Sequence, residues 1–335
     1  MLEKVGLEHG GRLREAALHY NIPLENWLDL STGINPQAWP GPALPAECWQ
    51  RLPENNDGLE AAAAAYYGNT NLLPVAGSQA AIQLLPHVLP RGVVACISPI
   101  YSEHPHAWQR AGHRLRYLQN AMLPRALAAA TPYVLLCNPN NPTADFHPRA
   151  VAVDAAQQLK KRGGWLIVDE AFADAAPENS LTSLAGTAEA PNLIVFRSLG
   201  KFFGLAGLRV GFVFAAPDIL AKLADLIGPW SIAGPSRAAA RLALQDTAWQ
   251  NAMRPQLHVA SQRLQHLLQP FGETKATALF ATLTTPDSND LHVFLAQRGI
   301  LTRHFDQLPL LRFGLPATEP DWQRLQHALT EWKSR

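Results

Sequence analysis

Charge, cysteine and long apolar runs are all scarce in this chain of 335 residues, and each scarcity closes off a class of function. Charged residues make up 16%, with 28 Lys and Arg against 27 Asp and Glu. No basic run breaks that balance, so nothing marks a nucleic-acid or membrane surface. The three cysteines, Cys48, Cys96 and Cys137, are odd in number and lack metal-ligand spacing. Cys96 and Cys137 end apolar runs, which reads as buried thiols of a reducing compartment. No run approaches the roughly 20 residues of a membrane span. The charged opening MLEKVGLEHGGRLREA has no apolar signal core. The expectation is a cytoplasmic protein that meets no nucleic acid, no membrane and no metal.

What the chain does have is apolar bulk, at 47% hydrophobic residues. That is the profile of a packed globular protein, and the length allows one large domain with a smaller one. The first forty-odd residues are rich in Gly, Pro, Asn and Trp and read as an arm. A helix starts near Asn56–Asp57, runs through LEAAAAAYY and stops at Gly68. Apolar strands then alternate with helices: VVACIS (93–98), a helix over 102–111, YVLLCN (133–138), a helix over 149–162, WLIVDE (165–170), LIVFRS (193–198) and LRVGFVFA (208–215). Strands that are apolar throughout and separated by helices predict an α/β fold with a mainly parallel sheet covered on both faces. After Pro217 long helices follow (217–227, 235–268), then a mixed region and a last helix carrying Trp322, Leu325, Leu329 and Trp332 on one face. The expected division is an arm over 1–45, a large domain over 46–235 and a small α+β domain over 236–335.

Parallel sheets place ligands at the carboxyl ends of their strands. Here YVLLCN runs into NPNNPTA, WLIVDE ends on Asp169-Glu170, and LIVFRS runs into Ser198 and Lys201. A helix opening at Gly77-Ser78-Gln79 offers an anion site. That edge collects an amine (Lys201), a carboxylate (Asp169), an amide (Asn141), an aromatic ring (Tyr101) and a cradle of Ser78, Gln79, Ser198 and Arg209. The set matches what pyridoxal 5'-phosphate requires: an amine for its aldehyde, a carboxylate for its ring nitrogen, and donors for its phosphate.

The segments CNPNNPTA, VDEAF and SLGKFFGLAGLRVGF resemble the signatures of fold type I pyridoxal-phosphate enzymes, the aspartate-aminotransferase superfamily. The resemblance implies that Lys201 forms the Schiff base, Asp169 pairs with the pyridinium nitrogen and Asn141 bonds the ring oxygen. Tyr101 would stack on the ring, while Ser78, Gln79, Ser198 and Arg209 hold the cofactor phosphate. Tyr66 would reach the partner subunit's phosphate, which implies a homodimer. Arg312 in LLRFG would grip a substrate α-carboxylate.

The opening EHGGRLREAALHYNIPLENWLDLSTGINP is similar to that of the cobalamin-biosynthetic threonine-phosphate decarboxylases, close relatives of histidinol-phosphate aminotransferases. This implies a phosphorylated amino-acid substrate, with His9, Gly10, Gly11 and Arg303 at its phosphate and Gly33 and Asn35 in the loop nearby. Two departures from the aminotransferase pattern stand out. Phe172 replaces the tyrosine after Asp-x-Ala, and Ala144 replaces the glycine of NPTG. The first removes one hydrogen-bond donor from the ring oxygen and agrees with decarboxylation. A histidinol-phosphate aminotransferase is the rival reading.

Other signals point elsewhere and lack support. Ser198-Leu-Gly-Lys201 fits S-x-x-K, but neither SDN nor KTG is present. GLAGLRVG does not fit G-x-G-x-x-G. His104 and His106 form an H-x-H pair that, with no further ligands nearby, is expected at the surface or a dimer interface.

Overall fold

The computed structural model describes residues 9–129 and 131–335, so the first eight residues of the expected arm lie outside the described residues. Two compact units divide the chain. The larger comprises Ala38–Asn141 and Asp145–Met253; the smaller comprises the segment up to Gln37, Pro142–Ala144 and Arg254–Arg335.

In the larger unit, seven strands form one sheet: β1 (Leu72–Val75), β2 (Val93–Ser98), β3 (Arg114–Gln119), β4 (Tyr133–Cys137), β5 (Trp165–Asp169), β6 (Leu193–Ser198) and β7 (Gly211–Phe214). Their order is β1-β7-β6-β5-β4-β2-β3. The five strands β6-β5-β4-β2-β3 run parallel, and β7 is antiparallel to both of its neighbours. Val134, Leu135, Leu166, Ile167, Val168, Ile194, Val195 and Phe196 are all completely buried, which is why these strands are apolar up to their carboxyl ends. β3, RLRYLQ, is the exception. It is an edge strand, exposed except at the half-buried Leu115 and Leu118, and was not among the expected strands.

Two expected elements are cut shorter. The strand over 208–215 is only Gly211–Phe214, because Arg209 sits at φ +54, a left-handed turn that ends any extended run. The helix over 235–268 is two helices, Gly234–Gln245 and Thr247–Leu268. Asp246 separates them, its carboxylate accepting from the Trp249 N–H (3.0 Å) and the Trp39 indole (2.9 Å). The first of the two stays with the large unit through Arg237. That guanidinium donates to both oxygens of Asp57 (2.7 and 2.8 Å) and to Glu60 (2.8 Å) beside the helix Leu59–Tyr67.

A wholly buried ionic cluster locks the ends of β5 and β6. Arg197 Nη1 donates to Glu170 (2.9 Å) and Nη2 lies 2.7 Å from Asp174. Glu170 also accepts from Ser180, from Leu181 N–H (2.7 Å) and from Thr182 (2.9 Å). Burial alone would pull the guanidinium pKa down, but Asp174, Tyr67 and Glu170 outweigh it and push it up. Glu170 and Arg197 adjoin Asp169 and Ser198, so this cluster fixes the backbone from which both side chains project.

In the smaller unit, β8 (Glu273–Thr277), β9 (Phe280–Thr284), β10 (Arg303–Phe305) and β11 (Leu310–Gly314) form an antiparallel sheet in the order β10-β11-β9-β8. The arm contributes a helix unanticipated from sequence, Leu13–Tyr20, closed by Asn21 in the left-handed region. Leu28–Asp29 then pairs in parallel with Ile300–Leu301. The last helix, Glu319–Lys333, opens with a Thr318/Asp321 capping box and buries Trp322, Leu325 and Leu329. Trp332 packs on Phe294 at 5.2 Å between ring centroids.

Candidate functional site

The carboxyl ends of β2, β4, β5 and β6 lie along one edge of the parallel sheet. They deliver Tyr101, Asn141, Asp169 and, beyond Ser198, Lys201. Asp169 is 6% exposed. Its Oδ1 accepts the Ala171 N–H at 2.9 Å, and its Oδ2 lies 2.8 Å from Nε2 of His104. The tautomer with its proton on Nε2 donates to this carboxylate. His104 is 1% exposed. His104, expected at the surface or a dimer interface, is instead a buried partner of Asp169, while His106 is exposed and the two form no ligand pair. The H-x-H spacing carried no signal of this. One did exist, since on the helix Glu103–Arg110 His104 falls on the same face as buried Ala107 and Trp108.

Lys201 is half-buried, and its Nζ stands 5.4 Å from the centre of the Phe172 ring. Phe172 is buried and offers no hydroxyl. Tyr101 Oη donates weakly to Gln79 Oε1 (3.4 Å), whose amide donates to Glu103 (2.6 Å). Burial, with Glu103 and Asp169 adding to it, raises the Tyr101 phenol, which stays protonated at working pH.

The anion cradle depends on two missing Cβ atoms. Gly77, at φ +71, precedes the helix Ser78–Val88, which has no side-chain cap. A Cβ on Gly77 would sit 2.4 Å from Nη2 of Arg209, and one on Gly211 would sit 2.6 Å from the backbone nitrogen of Ser78. An uncapped helix N-terminus thus lies against a guanidinium, with the buried Ser198 at the end of the strand adjoining β7. Tyr66 is half-buried and packs on Phe203 at 5.7 Å. An amine, a buried carboxylate with a fixed donor, and an anion cradle together fit pyridoxal 5'-phosphate.

The smaller unit holds the remaining expected residues. His9, Gly10, Gly11 and Arg303 line one cavity of about 770 Å³, together with Arg12, His292 and His304. Gly10 is required there because a Cβ would strike the Ser31 carbonyl at 2.2 Å. His292 was not singled out from sequence. Burial first, then His304 and Arg303, lowers its pKa to about 4, so it is neutral at working pH. Arg312 is buried on β11, donates to the Ser31 carbonyl (2.7 Å) and lies over Phe280. Gly33 and Asn35 are buried, and Asn35 caps the Gln37 N–H at 2.9 Å. Ala144 occupies φ +59, a left-handed conformation that glycine would adopt without strain.

Removing the imidazole should weaken cofactor capture while leaving the fold intact. His104→Ala strips a donor from a buried carboxylate, a loss of about 1–3 kcal/mol, or roughly tenfold or more in cofactor Kd. Absorbance titration of the cofactor-free protein measures it. An unchanged Kd would show that Asp169 needs no partner.

Fold and site together define a class. The chain belongs to the class I and II aminotransferase family, whose pattern matches residues 51–331. It is 50% identical to the threonine-phosphate decarboxylase of Pseudomonas aeruginosa over 98% of both chains. It is 40% identical to a protein of the same name from a Sinorhizobium species, over 96% of this chain and 97% of the other. Among solved structures, the histidinol-phosphate aminotransferase of Sinorhizobium meliloti in complex with pyridoxal-5'-phosphate superposes with a TM-score of 0.79 at 19% identity. That match covers 97% of this chain and 95% of the other, and shows the shared fold.

Proposed function

We propose that this protein decarboxylates L-threonine O-3-phosphate to (R)-1-aminopropan-2-yl phosphate and CO2, using pyridoxal 5'-phosphate, as a step of cobalamin biosynthesis. The observation that carries the reading is the 50% identity, along 98% of both chains, to a protein named for this reaction.

When bound, the cofactor supplies a cationic ring that takes up the electron pair left on Cα as CO2 departs. The chain's own groups do the rest. Lys201 would hold the cofactor and then, as an ammonium, return a proton to Cα, a transfer that contributes about 10²–10⁴-fold. Asp169, backed by His104, would hold the proton on the ring nitrogen. Asn141 would bond the ring oxygen without help from residue 172, since Phe172 has no hydroxyl. Tyr101 would cover the ring, and Ser78, Gln79, Ser198 and Arg209 would bind the cofactor phosphate. In the smaller unit, Arg312 would hold the substrate carboxylate in a bidentate fork. His9, Gly10, Gly11 and Arg303 would bind the substrate phosphate beside the Gly33–Asn35 loop. Anchoring a substrate at a remote phosphate is an effective way to orient the bond that breaks.

A homodimer is part of the reading, with Tyr66 reaching the partner's cofactor phosphate. Trp49 and Trp230, 70% and 60% exposed on the larger unit, supply apolar surface of the kind a second copy covers. The three cysteines are free thiols, in keeping with a reducing cytoplasm. Among the described residues no helix is long and apolar enough to cross a membrane.

The test sets CO2 release from threonine phosphate against glutamate consumption with an imidazole-ketone phosphate acceptor. The expected result is stoichiometric CO2 without transamination. Efficient amino transfer with no CO2 would establish the aminotransferase instead.

A further inference from the structure

The thiol of Cys137 stands where the sheet changes direction. β3 lies on one side of β2 and β4 on the other, so β2 and β4 flank a topological switch point. Tyr101 follows the end of β2, and Asn141 follows the end of β4. The backbone N–H groups of both residues donate to Sγ of Cys137. In the β4–β5 register Cys137 is paired with Asp169. Its sulfur, a ring nitrogen of His104 and a carboxylate oxygen of Asp169 all lie within 4.8 Å of one another. One atom thereby contacts or adjoins the three residues expected around the cofactor ring.

Sulfur suits this position. Its long bond and large radius let it accept from two backbone donors on different loops. A serine hydroxyl is smaller and sits on a shorter bond, and alanine would take the sulfur acceptor away from both N–H groups. Burial, with the Asp169 carboxylate adding to it, pushes the thiol well above its ordinary range. It therefore stays neutral and puts no second negative charge beside Asp169.

Resting on the cofactor reading above, we infer that Cys137 is a positioning residue: its sulfur ties the Tyr101 and Asn141 backbones to the Asp169–His104 pair and so sets the geometry around the cofactor ring. Cys96 provides the control. It is a buried thiol on β2, pushed up to about 12 by burial alone.

The experiment compares wild type, Cys137→Ala, Cys137→Ser and Cys96→Ala. Visible absorption of each holoenzyme is followed against pH, and each stripped protein is titrated with pyridoxal phosphate. Both Cys137 variants should weaken cofactor binding about tenfold, one hydrogen bond's equivalent. They should move the spectral pH midpoint by about half a unit or more. Their kcat should fall more than KM rises. Cys96→Ala should lose melting temperature only. If Cys137→Ala does not fold, Cys137→Ser carries the same readouts. Wild-type midpoints and affinity in the Cys137 variants would overturn the inference, as would equal changes in Cys96→Ala. A colourless wild type would instead remove the cofactor reading, and the inference with it, whereas unmoved variants of a yellow protein sink the inference alone.

Discussion

Lys201→Ala should give a protein that remains colourless with pyridoxal phosphate and turns over at least about 10⁴-fold more slowly than wild type. The half-buried amine lies beside the Phe172 ring, its Nζ 5.4 Å from the ring centre, and is the one primary amine that the carboxyl ends of β2, β4, β5 and β6 bring to this edge of the sheet among the described residues. Lys201→Arg should be equally inactive, since a guanidinium keeps the charge and has no nucleophilic lone pair. Circular dichroism and melting temperature should stay near wild type, because Lys201 contributes little to the core. A visible band that survives in Lys201→Ala would disprove the covalent link.

Arg197→Met should cost about 3–5 kcal/mol of stability, the usual result of leaving buried charge without its partner. Methionine fills much of the volume, but Glu170 and Asp174, both fully buried, lose the guanidinium that pairs with each of them. The pH dependence separates this cause from simple cavity formation. Without Arg197 the two carboxylates hold their protons more tightly in the fold than in the unfolded chain. Their folded pKa values are then raised, so the deficit is smallest below the ordinary carboxylate range and grows as pH rises through it. Urea unfolding at mildly acid and at neutral pH measures both quantities. An equal loss at the two pH values would mean that the carboxylates do not carry the effect.

Much of this architecture was legible in the sequence because a parallel sheet buried on both faces writes itself as uninterrupted apolar runs. β2, β4, β5 and β6 are such runs, and polar residues cluster just past their ends. β3 escaped notice because one of its edges faces solvent and its pattern, RLRYLQ, is half polar. The joint at Asp246 was hidden because both flanking segments have strong helical periodicity. Asp246 marks the break by accepting the Trp249 N–H that opens the second helix and the indole N–H of Trp39, more than two hundred residues away in sequence. At the site, Lys201, Asp169 and Ser78 were readable as residue types placed at strand and helix ends. His104 and Cys137 were not, because their significance lies in what each one touches: a carboxylate from β5 for the first, and two backbone donors from separate loops for the second.

The split composition of the smaller unit bears on how the chain is made. Leu28–Asp29 must find Ile300–Leu301, the Gly314 N–H must reach the Leu30 carbonyl (2.7 Å), and Arg312 must reach Ser31. None of these partners has been synthesised while the first two hundred and fifty residues are emerging from the ribosome. The larger unit needs nothing beyond Met253 and is free to fold during that interval. Trp27, Leu28 and Leu30, all buried in the finished molecule, therefore spend most of translation exposed, a window in which holdase chaperones would find them.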